Sequence, residues 1–417
     1  MGNNASNISP NNRLGISITK QVSSNTRFPS SQRGSILSAF IILPDLSEWS
    51  ENSRLYHIIL VSPRSIDMFC LLTGDARIQK YQPKRGIHIM SACHSKESIR
   101  GNIIVVAESD KIFKIIHTYT FAILSEINSH STSKITCMIN PAPDLIYAGF
   151  HDGSIKVWHF SQESPQFYFH EDSIVPSVRT IEYSHIQRFI VVGYENSYQK
   201  EDGSYVKLDN NPLRIYYAAA NEQNKSLLLE GFLGACLSIV LIENKNLVIA
   251  LSSVQSGVYI WDFITRTKLL CFNVPIMSQA QDIASKLTAI EMPGMSDILL
   301  IGKSDGSILV SQLTFNEEDT SLTWSPLQKI QPKMYQVQNE KESNWITYLS
   351  YDKSIDAIIT GDASCSVRIV SNLFDECLGI KQIAHESQDV EQLDKSLEEE
   401  KKYDESLEEP KKNAEDN

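Results

Sequence analysis

The residues best placed for chemistry sit toward the two ends of the chain. The opening stretch, MGNNAS, fits the pattern M-G-x-x-x-[ST], in which Met1 is removed and Gly2 accepts a myristoyl group on its freed amine. Toward the other end, DKSLEEEKKY is followed by DESLEEPKKN, and Ser396 and Ser406 each stand three residues before a glutamate. That spacing suits an acid-directed kinase, and it also fits a helix capping box. Between the ends, nothing converges on catalysis. There is no G-x-x-x-x-G-K-[ST] phosphate loop and no G-x-G-x-x-G, and the ten histidines are scattered singly, without a pair at metal spacing. The expectation is a chain with no catalytic residues, no cofactor, no metal and no small-molecule substrate.

The chain that carries these ends has 417 residues, 42% hydrophobic and 21% charged, enough to bury a large core. No apolar run approaches the ~18–20 residues of a membrane-spanning helix. The seven cysteines are odd in number, scattered and never spaced C-x-x-C, which points to reduced thiols in the cytosol or nucleus. Charge is uneven. Residues 1–44 hold Arg13, Lys20, Arg27 and Arg33 and no acid, whereas residues 386–417 hold thirteen Asp/Glu against five Lys. The net charge of −12 disfavours nucleic acid as a partner.

The middle of the chain repeats. ITCMINPAPDLIYAGFHDGSIKVWHF (135–160) reads as strand, turn, strand, tight Asp152-Gly153 turn and strand. Similar units cover 236–263, 287–313 and 346–373, and weaker copies fill the rest. Aligned on their third strands, the units place Phe69, Ile116, Trp158, Tyr216, Trp261, Ser311 and Val370 at one bulky position. Six of these seven fill it; Ser311 leaves a gap that predicts a looser contact or a substitute side chain.

These residues, with the dipeptide Trp261-Asp262, resemble the WD-repeat family. The resemblance implies an all-β, seven-bladed WD-repeat-like β-propeller over residues 35–385, each small sheet burying its faces against its neighbours. It also implies that His130, Asp152 and Trp158 form a structural hydrogen-bonded network whose usual Ser/Thr member is replaced at Gly149. The flanks are read as a flexible basic arm (1–13, continuing to about 34) and a disordered acidic tail (386–417). The ring needs one further outer strand, for which LGISITKQV (14–22) and DECLGIKQIAH (375–385) are both candidates.

Two polar insertions interrupt the repeat, at 195–211 and 315–344. Tyr198 and Tyr205 in the first are candidate partner contacts, exposed aromatics being favoured hot spots; the alternative is a mobile solvated loop. The functional expectation is a noncatalytic scaffold that binds other proteins in the cytoplasm. The basic arm and Gly2 would add reversible association with an anionic membrane surface, since one myristoyl chain binds only marginally by itself. The alternative is a soluble propeller subunit of a nuclear or ribonucleoprotein complex.

Overall fold

The computed structural model describes residues 35–42, 57–70, 76–98, 101–142, 144–159, 167–169, 176–199, 204–207, 212–217, 226–275, 283–292, 296–316, 321–330, 345–353, 357–363 and 367–371. All belong to one compact unit, residues 1–371; a second unit, residues 372–417, lies outside the described set. Gly2, Ser396, Ser406 and both candidate closing strands therefore also lie outside it.

The described backbone forms six four-stranded antiparallel sheets, one sheet with three described strands, and a two-stranded ribbon. Within each sheet the strands lie in chain order. The sheets span residues 38–81, 89–128, 135–169, 178–228, 236–273, 284–330 and 346–371, taken here as blades 1 to 7. The described helical content is one 3-10 turn, Glu243–Lys245.

The second strand of each blade explains the apolar runs in the sequence. HIILVS, FIVVGY and LVIALS are buried at every position. A strand covered on both faces reads as a continuous apolar run instead of an alternating one. The outermost strands, such as KLLCFN of blade 5, have one covered face and show exposed positions.

Each blade buries its faces against its neighbours. Separate apolar clusters join blades 1 and 2, 2 and 3, 3 and 4, 4 and 5, and 5 and 6. A sixth joins blade 7 to blade 1, with Ile36, Ala39, Ile58 and Phe69 packed on Ala357, Ile359, Val367 and Ile369. The ring is thus closed by packing: the molecule is an all-β, seven-bladed propeller. The fourth strand of blade 7 is not among the described residues.

The bulky position has a single register throughout. Phe69, Ile116, Trp158, Tyr216, Trp261, Ser311 and Val370 pair with Ile58, Ile104, Ile146, Ile190, Val248, Leu299 and Ile358 of the second strands. The bulky residue packs toward the preceding blade: Trp158 of blade 3 meets Phe113 of blade 2 edge-on, ring centroids 4.8 Å apart. Ser311 is itself fully buried and faces Pro326 of the fourth strand, on which Trp324 lies opposite Leu313. Trp324 there stacks on Phe272 of blade 5 at 4.1 Å. Part of the second polar insertion is in fact strand, because Ile308–Asn316 and Ser321–Ile330 extend past the sheet as one long hairpin.

Blades also meet through glycine. A Cβ on Gly149, Gly193, Gly302 or Gly361 would come within 2.4–2.8 Å of Val178, Cys236, Ile346 or Ile36 at the start of the next blade. A buried ion pair adds to the junction of blades 1 and 2, with Lys114 Nζ 2.8 Å from Glu108 Oε2. Tyr81 of blade 1 donates to Glu108 Oε1 and accepts from Lys114 Nζ at 3.0 Å. Burial, with the Glu108 bond next, pushes the Tyr81 hydroxyl up to about 12. Burial opposes the Lys114 charge, but its bonds to Glu108 and Tyr81 outweigh that and raise its pKa.

Candidate functional site in the central channel and its rim

The first strands of the blades pack side by side around the axis and wall a channel. In six of them the register slips by one residue near the start, at Met90, Thr136, Arg179, Leu237, Ser285 and Thr347. Such a bulge bends the strand and leaves a ladder carbonyl without its usual donor. Hydroxyls at the bulge repair this. Thr136 Oγ1 donates to Gly149 O at 3.0 Å. Ser285 Oγ reaches Gly302 O at 3.2 Å and Ile346 O of the next blade at 2.7 Å.

Beyond the bulge the channel holds two cavities of about 660 and 550 Å³, both lined by Thr180, Glu182, Lys286, Tyr348 and Ser350. Glu182 comes from Val178–Ser184 of blade 4, Lys286 from Ala284–Ile290 of blade 6. Both side chains are half-buried. Among the described residues neither hydrogen-bonds nor ion-pairs with a protein group; they act on one another through space. Burial pushes the Glu182 carboxyl up to about 7, with Lys286 opposing. Burial, then the positive charge of Arg179, lowers the Lys286 ammonium. Arg179 itself is held by Glu195 at 2.6 Å.

Nucleophilic chemistry finds little support along this wall. Burial pushes the thiols of Cys93, Cys137 and Cys236 up to about 12, so they stay protonated and inert near neutrality. No group of three or more His, Cys, Asp or Glu among the described residues could hold a metal ion. One catalytic-looking motif does occur: Gly302-Lys303-Ser304-Asp305-Gly306 matches G-x-S-x-G. It lies on a strand-to-strand turn in blade 6, not on the strand-to-helix elbow that exposes a nucleophile. The Ser304 hydroxyl accepts from the Ile283 amide at 2.9 Å.

At one mouth of the channel, equivalent turns approach the starts of the first strands. Ser253 N donates to Ala235 O, Ser304 N to Ile283 O and Ala363 N to Trp345 O, at 2.8–3.0 Å. Leu233, Val254, Ile283 and Trp345 are therefore on the same end of blades 5 to 7, and they are 60%, 39%, 36% and 41% exposed.

The residues singled out in the sequence fall as follows. Trp158 and Trp261 are fully buried. Trp261 Nε1 donates to Glu230 O at 3.2 Å, whereas Trp158 Nε1 has no partner among the described residues. The bonds around His130 and Asp152 run differently from the network that the resemblance implies. Asp152 Oδ1 accepts from Ser154 Oγ at 2.6 Å and Ser154 N at 3.0 Å, a local turn in which the nearest hydroxyl is two residues away. Asp305 and Ser307 repeat it in blade 6. His130 is exposed, with φ 48°, and its amide donates to Asn128 Oδ1 at 2.8 Å. Asp262 caps the turn after Trp261, accepting from Ile264 N and Thr265 N, both at 2.8 Å. Phe69, Ile116 and Tyr216 are buried and Val370 is half-buried. The 195–211 insertion is a ribbon, Ser197–Gln199 paired with Tyr205–Lys207; the side chains of Tyr198 and Tyr205 lie outside the described set. Arg179, Glu182 and Lys286 were missed, although a charge inside VRTIEYS and ASKLTAI was the available signal.

No family model matches the chain, and no curated protein does. Among solved structures, a computationally designed protein, Ika8, superposes with a TM-score of 0.52 at 15% identity, covering 81% of this chain and 96% of its own. A chain from the crystal structure of the mitotic checkpoint complex superposes with a TM-score of 0.55 at 12% identity, covering 83% and 95%. At such identities the likeness speaks to fold alone, and the fold it bears out is a seven-bladed, WD-repeat-like β-propeller.

Proposed function

We propose that this chain is a noncatalytic scaffold that binds other proteins through a face of its ring. The observation that carries this reading is the apolar arc of Leu233, Val254, Ile283 and Trp345, exposed together at one end of blades 5 to 7. Large apolar side chains gathered on one surface favour a protein partner, and Trp is a preferred anchor. The solved neighbour from the mitotic checkpoint complex belongs to a protein assembly, which agrees with such a role. The test is quantitative co-purification with wild type against Leu233→Asp and Trp345→Asp, each with an unchanged melting temperature. Loss of one common set of partners supports the reading; an identical set from all three proteins refutes it.

The reading extends to the membrane. Gly2, acylated, would supply one weak anchor, and Arg13, Lys20, Arg27 and Arg33 a second on anionic lipid, about 1 kcal/mol per residue that reaches the surface. Cytoplasmic protein would then exchange with a membrane-bound fraction. Intact mass and fractionation of wild type against Gly2→Ala decide this branch. An unacylated wild type, or equal distribution of the two proteins, removes it.

A further inference from the structure

Glu182 and Lys286 face the same cavity from blades that are not neighbours, with blade 5 between them. Folding does not require charge at either place. The register makes Val240 and Thr288 the equivalents of Glu182, and Thr180 and Ser238 the equivalents of Lys286. Uncharged residues therefore build the same inner strand in adjacent blades. A half-buried carboxylate and ammonium without hydrogen-bond partners are unfavourable for the isolated protein, and a direct pair would relieve both. Here the two charges sense each other through space without pairing.

We propose that this part of the channel binds a small zwitterion, an α-amino acid or short peptide, with its ammonium on Glu182 and its carboxylate on Lys286. One such ligand satisfies both protein charges, which neither a simple anion nor a simple cation can do. Charge-assisted hydrogen bonds of this kind are the strong ones. The Thr180 hydroxyl lines the same space and provides a neutral partner for a peptide group, whereas the Tyr348 hydroxyl already donates to Ala39 O at 2.7 Å and bonds Ser350. The cavity, about 660 Å³, leaves room for more than one residue.

The test is calorimetric titration of the full chain with glycine, glycylglycine and triglycine, zwitterions of increasing charge separation. Acetate and methylammonium serve as the two halves. At least one zwitterion should bind about tenfold or more tighter than either half. Glu182→Gln and Lys286→Met should each weaken it by about tenfold or more, and Lys286→Arg, which keeps the charge, should largely retain it. Should Lys286→Met fail to fold, Lys286→Gln takes its place. Absence of binding by all three zwitterions, equal binding of acetate, or undiminished binding by the charge-removing variants would each overturn the proposal.

Discussion

Thr347 Oγ1 donates a hydrogen bond of 2.7 Å to the backbone carbonyl of Ile36, tying blade 7 to blade 1 across 311 positions of sequence. The same hydroxyl lies 3.3 Å from Gly361 O, the carbonyl beside the bulge in its own blade. One hydroxyl thus serves a strand irregularity and the closure of the ring together. Ser285 does the same between blades 6 and 7. Thr347→Val keeps the shape and removes the donor from two carbonyls. We expect a loss of about 1–3 kcal/mol, read as a lower urea midpoint with an unchanged slope. A midpoint equal to wild type would show that water replaces the hydroxyl and that closure rests on apolar packing alone.

The same seam has a tighter constraint at Gly361. A Cβ there would come within 2.4–2.5 Å of the Ile36 side chain, a fully buried residue with little room to move. Gly361→Ala should destabilise by about 1–3 kcal/mol through overpacking. Ile36→Ala should cost about 2–5 kcal/mol through the cavity it leaves. The double variant removes the Cγ2 clash but leaves the Cβ of residue 36 about 2.5 Å from the new methyl, so its loss should be only partly relieved below the sum of the two. Additive losses in the unfolding midpoints would mean that the two residues do not meet.

Two tryptophans at equivalent positions should respond differently to the same replacement. Trp158 Nε1 is buried without a partner among the described residues, whereas Trp261 Nε1 donates to Glu230 O. Trp158→Phe removes an unsatisfied donor along with some volume, and the two effects partly offset. Trp261→Phe leaves a carbonyl unpaired, adding about 1–3 kcal/mol to the packing loss. Replacement by Ala should cost about 3–5 kcal/mol at either place. Equal losses for the two Phe variants would imply that the Glu230 bond contributes nothing net.

Much of the ring could be read from the chain because its cause is local. An apolar second strand, a turn and a third-strand position that is bulky in six of the seven blades recur in one register, with Ser311 at that position in blade 6. What escaped is non-local. Whether Asp152 reaches His130 or turns to Ser154 depends on a turn geometry that the spacing D-G-S does not reveal. Glu108 and Lys114 sit in a weak copy of the repeat, and the Tyr81 that completes their cluster belongs to the preceding blade. Trp324 falls inside the 315–344 insertion, on an outer strand that is mostly exposed, and its stacking on Phe272 of blade 5 depends on the neighbouring sheet. Glu182 and Lys286 are far apart in sequence, and only the circular arrangement brings them to one cavity.

The Glu182 carboxyl has a direct signature in stability against pH. Its folded pKa, about 7, stands above the ordinary carboxylate value of 4.5, with burial as the main cause. Between those values the folded state holds a proton that the unfolded state has lost, so stability falls as pH rises through the window. Below about 4.5 both states are protonated, and the penalty disappears. Above 7 it is complete, on the order of 1–3 kcal/mol once partial exposure of the group is allowed for. Glu182→Gln carries no charge at any pH and should remove this slope. The variant should match wild type near pH 5 and exceed it near pH 8, as read from urea unfolding across that range. Parallel pH profiles for the two proteins would place the carboxylate in water, not against the channel wall. A profile that flattens only when a zwitterion is present would instead mean that its ammonium holds the carboxylate ionised.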